Sequence, residues 1–436
     1  MWGSKENKIK YVIWGCGLIG KQAVGMLGGE RRIAAIIEGN KALQGSRYCG
    51  VPVISFNEYM LDFPQHPVIV TPLYFEDEIM QQLKQENIFW AFPFSKDRAA
   101  IESLLIQLPL SQTLERYHKG ERIAIYGTTV LGFVLYDLFQ ERGFDTYLII
   151  PHNTDPLVKK YATDILRLKT VSTDEAAENH MRLLLAVELE TDDQDKLCGI
   201  PCDRYYDLHL QKELFYNPEL ERFRNVHKGG RCFIVATGPS LRMGDLDTLF
   251  EHGEICISVN GIFRAFSRTK WRPDYYVVAD PSANEWKEDI LGMEVHAKFI
   301  ADSIGCFHDK CYDNVYKWHL IRGNKYGQAP DFSDDFSRGG YFGRTVVYEG
   351  GLQLAVYMGF KEIYLLGTDC TLADNGKTPH FVDEEDEDPG RLDIKEMMIA
   401  YQVAKRYGDS HGIKIYNATR GGALEIFERV DFDSLF

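Results

Sequence analysis

Short apolar runs, each closed by a turn residue and followed by a helical stretch, recur along the chain. Lys10-Tyr-Val-Ile-Trp14 reads as a strand, Gly15-Cys-Gly17-Leu-Ile-Gly20 as a turn, and Lys21 to Leu27 as a helix. Arg32 to Ile37, closing on Glu38, is a second strand; Pro67 to Thr71 and Phe89 to Phe92 are a third and fourth. A similar series starts at Glu121: Arg122 to Tyr126 is a strand, Gly127-Thr-Thr-Val-Leu-Gly132 opens a helix through Phe139, and Asp145 to Ile150 and Arg182 to Val187 are further strands. The two series look like a degenerate duplication. A polar, mostly helical stretch, Leu208 to Arg224, then ends at His227-Lys-Gly-Gly230 in the manner of a linker.

Beyond it, Cys232 to Ala236, Ile255 to Val259, Tyr275 to Ala279, Lys298 to Ala301, Glu362 to Leu366 and Ile413 to Tyr416 read as strands. The clearest helix between them runs from Thr345 to Met358, with Gly359 as its C-cap signal. Strands alternating with helices predict an α/β fold of mostly parallel sheets. The expected organisation is a Rossmann-like domain over residues 8–110, a second Rossmann-like unit over 119–205, a linker helix over 206–229, and a larger doubly wound domain over 230–436.

Length and composition narrow the function classes. At 436 residues the chain exceeds one ordinary core. A formal net charge of −15 argues against a nucleic-acid surface, which needs clustered Lys and Arg. No apolar stretch approaches the ~20 residues of a membrane span, and the polar start, Met1 to Lys8, lacks the apolar core of a signal peptide; a cytoplasmic location is the expectation. The nine cysteines include the loosely spaced sets Cys198-x3-Cys202 and Cys306-Phe-His308-Asp-Lys-Cys311. Zinc sites usually show tighter pairs, so reduced structural thiols are expected, among them Cys16, Cys232 and Cys256 in or beside strands.

Two sets of residues carry candidate chemistry. Gly15, Gly17 and Gly20 follow a strand and open a helix, with acidic Glu38 about 20 residues on, as a dinucleotide fingerprint requires. This half-fold admits NAD, a mononucleotide or sugar, or a purely structural role. In the last domain, polar residues stand just beyond several strand ends, where such folds hold their ligands. They are Thr237-Gly238-Pro239-Ser240, Asn260-Gly261, Asp280-Pro281 and Gly367-Thr368-Asp369. Any one of them is ordinary turn chemistry; the set together points to a nucleotide site.

Gly238-Pro-Ser-Leu241, Ile257-Ser-Val-Asn260, Ala279-Asp280-Pro281 and the run from Leu352 to Gly367-Thr-Asp369 resemble a bacterial superfamily. It includes CMP-sialic-acid-dependent sialyltransferases, motility accessory factors that glycosylate flagellin with nonulosonic acids, and the archaeal 6-hydroxymethylpterin pyrophosphokinase. The resemblance covers about residues 230 to 420. It implies a transferase moving an acidic sugar from a CMP-linked donor to a glycan or protein acceptor in surface-glycan synthesis, with no required cofactor. The alternatives are a Mg²⁺-dependent pyrophosphokinase, with Asp280 and Asp369 on the metal, and a non-catalytic nucleotide-sugar-binding protein.

By the same resemblance, Asn260 holds the nucleotide, with Thr237 where a first Asn is usual and Asp280 where an Asn-Pro is usual. His380 is the general base, its imidazole titrating near neutrality, beside the acidic run Asp383 to Asp388. Tyr341, Tyr348 and Arg344 hold the departing phosphate around Thr345 at the start of the long helix, in a segment one residue longer than the family pattern. Related enzymes often form oligomers, which leaves a homo-oligomer open.

Overall fold

The structure, a computed structural model, describes residues 9–72, 75–108, 110–189, 197, 200–307, 311–322, 327–371, 381 and 393–436. The fold is α/β, and the chain divides into two compact units, Met1–His209 and Leu210–Phe436.

The first unit holds two sheets. One contains β1 (Tyr11–Trp14), β2 (Ile33–Ile37), β3 (Arg47–Tyr48), β4 (Val51–Ile54), β5 (Val68–Val70) and β6 (Ala91–Pro93), in the order β3-β4-β2-β1-β5-β6. Every pairing is parallel except the β3–β4 hairpin. Unbroken apolar runs such as Ile33-Ala-Ala-Ile-Ile37 suit this, because parallel strands are covered on both faces. The other sheet contains β7 (Arg122–Tyr126), β8 (Asp145–Ile149), β9 (Arg182–Leu185) and β10 (Cys202–Arg204), all parallel, in the order β10-β9-β7-β8.

In both sheets the first strand has the next strand of the chain on one side and a later strand on the other, β1 lying between β2 and β5 and β7 between β8 and β9. Both therefore have a topological switch point, at β1/β5 and at β7/β9. Arg32 pairs with Glu141 at 2.9 Å, and Trp90 stacks on Tyr161 with ring centres 4.8 Å apart, tying the two sheets together.

The second unit is built on an eight-stranded parallel sheet. Its strands are β11 (Arg231–Val235), β12 (Cys256–Val259), β13 (Tyr275–Val278), β14 (Ala297–Ala301), β15 (Val315–Trp318), β18 (Glu362–Leu366), β19 (Lys414–Asn417) and β20 (Glu428–Arg429). The order is β15-β14-β13-β12-β11-β18-β19-β20, with a small pair, β16 (Leu320–Ile321) and β17 (Gly340–Tyr341), outside it. One apolar core fills the unit, with Phe233, Ile257, Tyr276, Val277, Phe299 and Leu365 fully buried. Among the described residues of the chain, no helix is long and apolar enough to cross a membrane.

Two expected helices take a different form. The stretch read as a linker helix, 206–229, breaks into short 3₁₀ turns, among them Lys212–Phe215 and Pro218–Phe223. Asn217-Pro218 is the cause: a residue before proline is pushed out of the α region, and Asn217 (φ −111°, ψ 104°) caps the next turn instead. From Leu210 on the segment is part of the second unit and is bonded into it. Asn217 N donates to Ser337 O at 2.9 Å, Tyr357 Oη to Leu220 O at 3.1 Å, and His227 N to Met358 O at 2.9 Å.

The helix expected from Thr345 to Met358 is a π-helix over Val347–Leu352, followed by α-helix over Gln353–Tyr357, and closes on Gly359 (φ 90°). A π-turn takes one more residue than an α-turn, which accommodates the extra residue of this segment. Gly350 and Gly351 press it onto the sheet: a Cβ on Gly350 would lie 2.3 Å from Val277 Cγ2, and one on Gly351 3.1 Å from Ile234 Cγ2. The buried Gln353 satisfies the displaced backbone. Its amide donates to Tyr341 O, Tyr348 O and Glu349 O, and its Oε1 accepts from Ser333 N and Tyr341 N.

Candidate functional site

In the second unit β11 lies between β12 and β18, so the switch point is the β11/β18 crevice. The turn after β11 is locked to the end of β18. Gly238 N donates to Gly367 O at 2.9 Å, and Ser240 donates to Asp369 Oδ2 from its Oγ (2.9 Å) and its N (3.3 Å). Position 238 must be glycine, because a Cβ there would lie 2.0 Å from Asp369 Oδ2. Asp369 is buried, and burial pushes its pKa up against the lowering effect of the Ser240 bonds. Thr237 is buried and Pro239 exposed. The Thr368 hydroxyl is buried with no hydrogen-bond partner among the described residues.

On the other flank Asn260 follows β12 directly and has a left-handed backbone (φ 50°). Its carbonyl accepts from Tyr276 Oη at 2.9 Å, while its Oδ1 is buried and without a partner among the described residues. Gly261 is buried beside the Arg264 guanidinium; a Cβ there would lie 2.0 Å from Nη1. At the end of β13 Asp280 caps the turn that begins with Pro281, Oδ1 accepting from Ser282 N at 2.8 Å.

The π-helix brings a group that sequence reasoning missed. Glu349 is 3% exposed, its Oε1 accepting from Gly343 N at 3.1 Å. Burial raises its carboxyl to about 7, opposed by the charge of Arg322 and reinforced by that of Asp280. Arg344, with a left-handed backbone (φ 65°), places its guanidinium 5.1 Å from the centre of the Phe342 ring, and Arg322 places its own 4.9 Å from the same ring. Two cations thus share the Phe342 ring, and their charges and that of Asp280 act on the buried Glu349. The available sequence signal was a lone acid in an apolar run, Val346-Val-Tyr-Glu-Gly-Gly-Leu352; Arg322 had none. Asn260, Arg344 and the neighbouring Cys370 (φ 50°) are all non-glycine residues in the left-handed region, a strain that concentrates at functional sites.

The remaining predicted residues are dispersed. Tyr348 is fully buried and donates its hydroxyl to Asp331 O at 2.7 Å. It is committed to packing, not aimed at a departing phosphate. Tyr341 lies in β17, with Lys212 Nζ 4.7 Å from its ring centre. Thr345 Oγ1 is 3.4 Å from Tyr401 Oη. His380 and the acidic run Asp383 to Asp388 lie outside the described residues. Phe381, next to His380 in sequence, donates its amide to Thr237 O at 2.9 Å.

In the first unit the three fingerprint glycines have distinct roles. Gly15 has φ 105°, and a Cβ there would lie 2.9 Å from Pro72 Cγ; one on Gly20 would lie 1.8 Å from Gly15 O. Gly17, at the helix N-cap, has open space around it. These are the turn, close-packing and ligand-approach positions of the fingerprint. Glu38, half-exposed at the end of β2, accepts from Cys16 N at 2.8 Å and from Asn40 N at 2.9 Å.

Cys198 and His308 lie outside the described residues, Cys202 and Cys311 are exposed, and Cys16, Cys232 and Cys256 are buried free thiols. Among the described residues no three His, Cys, Asp or Glu side chains converge on a common point.

Comparison with curated proteins and with solved structures gave no match. Residues 208–375, which contain β11 to β18 and every crevice residue from Thr237 to Asp369, match the family described as 6-hydroxymethylpterin diphosphokinase MptE-like.

Proposed function

We propose that the second unit is a nucleotide-dependent transferase working at the β11/β18 crevice, with a CMP-linked acidic sugar as donor and a glycan or protein hydroxyl as acceptor. The observation that carries this is the buried Oδ1 of the strained Asn260, without a partner among the described residues, at a strand end beside the switch point. An unmade buried hydrogen bond costs about 1–3 kcal/mol, and a nucleotide amino or hydroxyl donor would recover it. Arg322 and Arg344 are the cations suited to the donor phosphate or carboxylate. The bond from the anomeric carbon to the phosphate oxygen breaks, and CMP leaves with the electron pair. The acceptor oxygen bonds to that carbon and passes its proton to His380. The Phe381 amide on Thr237 supports this assignment, because it ties the residue after His380 to the nucleotide turn.

A second reading, a Mg²⁺-dependent pyrophosphokinase, is favoured by the family match over residues 208–375 and by the acids beside the crevice. Mg²⁺ keeps most of its waters and needs only one or two carboxylates with substrate phosphates. Asp280 and Asp369, each with one carboxylate oxygen already accepting a hydrogen bond, are the residues that would hold the ion. Bound there, the ion would neutralise phosphate charge.

Thermal melting of the full chain with CMP or ATP, each with and without Mg²⁺, separates the two, since a ligand of the folded state raises the melting temperature. The expected result is stabilisation by CMP without metal, weakened in Arg344→Ala. Stabilisation by ATP only with Mg²⁺ would overturn the sugar-transfer reading.

A further inference from the structure

The second sheet of the first unit has a cavity of about 290 Å³ at the carboxyl ends of its strands. Its walls come from the loops after β7, β8 and β9 and so enclose the β7/β9 switch point, where sheets of this kind bind ligands. Thr128 and Thr129 follow β7, Asn153 and Thr154 follow β8, and the two loops meet where Thr128 Oγ1 lies 3.2 Å from Thr154 Oγ1. Phe92, held edge-on by Phe133 at 5.4 Å, and Tyr126 form apolar walls. The volume is near the lower end of ligand sites, about 300–1,000 Å³, and suits a single ring.

The chemistry of the site excludes a phosphate. The glycine turn leads into the helix Val130–Glu141, whose N-terminal amides would otherwise receive an anion. Here Leu131 N donates to the buried Asp97 Oδ2 at 2.9 Å, and Gly132 N to Thr129 Oγ1 at 3.2 Å. A carboxylate of the chain itself already sits where a phosphate would. Among the described residues lining the cavity none is Lys, Arg or His, whereas Asp155 and Glu188 are acidic.

We propose that this cavity binds an unphosphorylated, polyhydroxylated single ring, with an amine-bearing sugar as the best fit. The apolar ring face lies on Phe92 and Tyr126, the hydroxyls meet the threonines and Asn153, and the ammonium faces Asp155 and Glu188.

Titration of the full chain with glucosamine, glucose and glucosamine 6-phosphate, followed by ligand-observed NMR and calorimetry, tests this. Glucosamine is expected to bind saturably, more tightly than glucose, and glucosamine 6-phosphate more weakly than glucosamine. Thr154→Trp, which fills the cavity, should weaken glucosamine at least tenfold. Glu188→Gln, at an exposed position that bears little on folding, should weaken it about threefold while leaving glucose unchanged. No saturable binding of glucosamine, tighter binding of the phosphorylated sugar, or glucosamine affinity unchanged in Glu188→Gln would each overturn the proposal.

Discussion

The two glycine turns of the first unit share one backbone design and differ in what occupies it. In both, a glycine with positive φ leaves the strand, Gly15 at 105° and Gly127 at 127°. Five residues later a second glycine packs against the carbonyl of the first; a Cβ would lie 1.8 Å from Gly15 O in one and 2.2 Å from Gly127 O in the other. In the first turn the acceptor is Glu38, half-exposed on the next strand. In the second it is Asp97, 8% exposed, from the helix Phe94–Glu102 that follows the first sheet. The turn of the second unit uses Asp369 in a comparable way. A phosphate-type turn thus does not by itself mean a phosphate. The chain can supply the anion, and the burial of that anion decides whether a ligand can replace it.

The largest effect that would sharpen this comparison belongs to the packing glycines. Gly20→Ala and Gly132→Ala force a methyl into a carbonyl and should each destabilise the protein by about 1–3 kcal/mol, measured by denaturant unfolding. Gly17→Ala, in open space with φ −70°, should cost almost nothing. Equal losses at Gly17 and Gly20 would break the assignment of roles.

Next comes Asp97. Burial raises its carboxyl from the ordinary 3.8 to about 6, despite the amides that bond to it. A raised carboxyl contributes stability that is fully present below the unfolded value and lost as pH rises through the folded one. At about 1.4 kcal/mol per tenfold change, up to about 3 kcal/mol should be lost between pH 4 and pH 7. Asp97→Asn should flatten that part of the pH–stability curve relative to wild type; parallel curves would show that the charge is not buried as described. The smallest effect is at Glu38. Glu38→Gln removes one charged acceptor from a half-exposed pair of amides and should change stability by less than about 1 kcal/mol. A larger loss would make Glu38 as structural as Asp97.

Most strands and all three turns were legible in the sequence, because buried parallel strands are apolar runs and glycine is needed wherever φ is positive or two backbones touch. The recurrence of the glycine turn in the first unit was legible for the same reason, since the spacing from Gly15 to Gly20 returns from Gly127 to Gly132. The linker helix was misread because the local effect of Asn217-Pro218 outweighs a helical composition. The long helix was misread because Gly350 and Gly351 answer to Val277 and Ile234, more than 70 residues away in sequence.

The sequence by itself determined the α/β class, the parallel strands and the positions of the turns, all of which follow from local periodicity and backbone sterics. Only the tertiary structure decided that Arg322 and Arg344 share the Phe342 ring and act on the buried Glu349, that Tyr348 turns to Asp331, and that Asp97 fills the second turn. Charge and burial belong to neighbours brought together by folding, and no spacing along the chain encodes them.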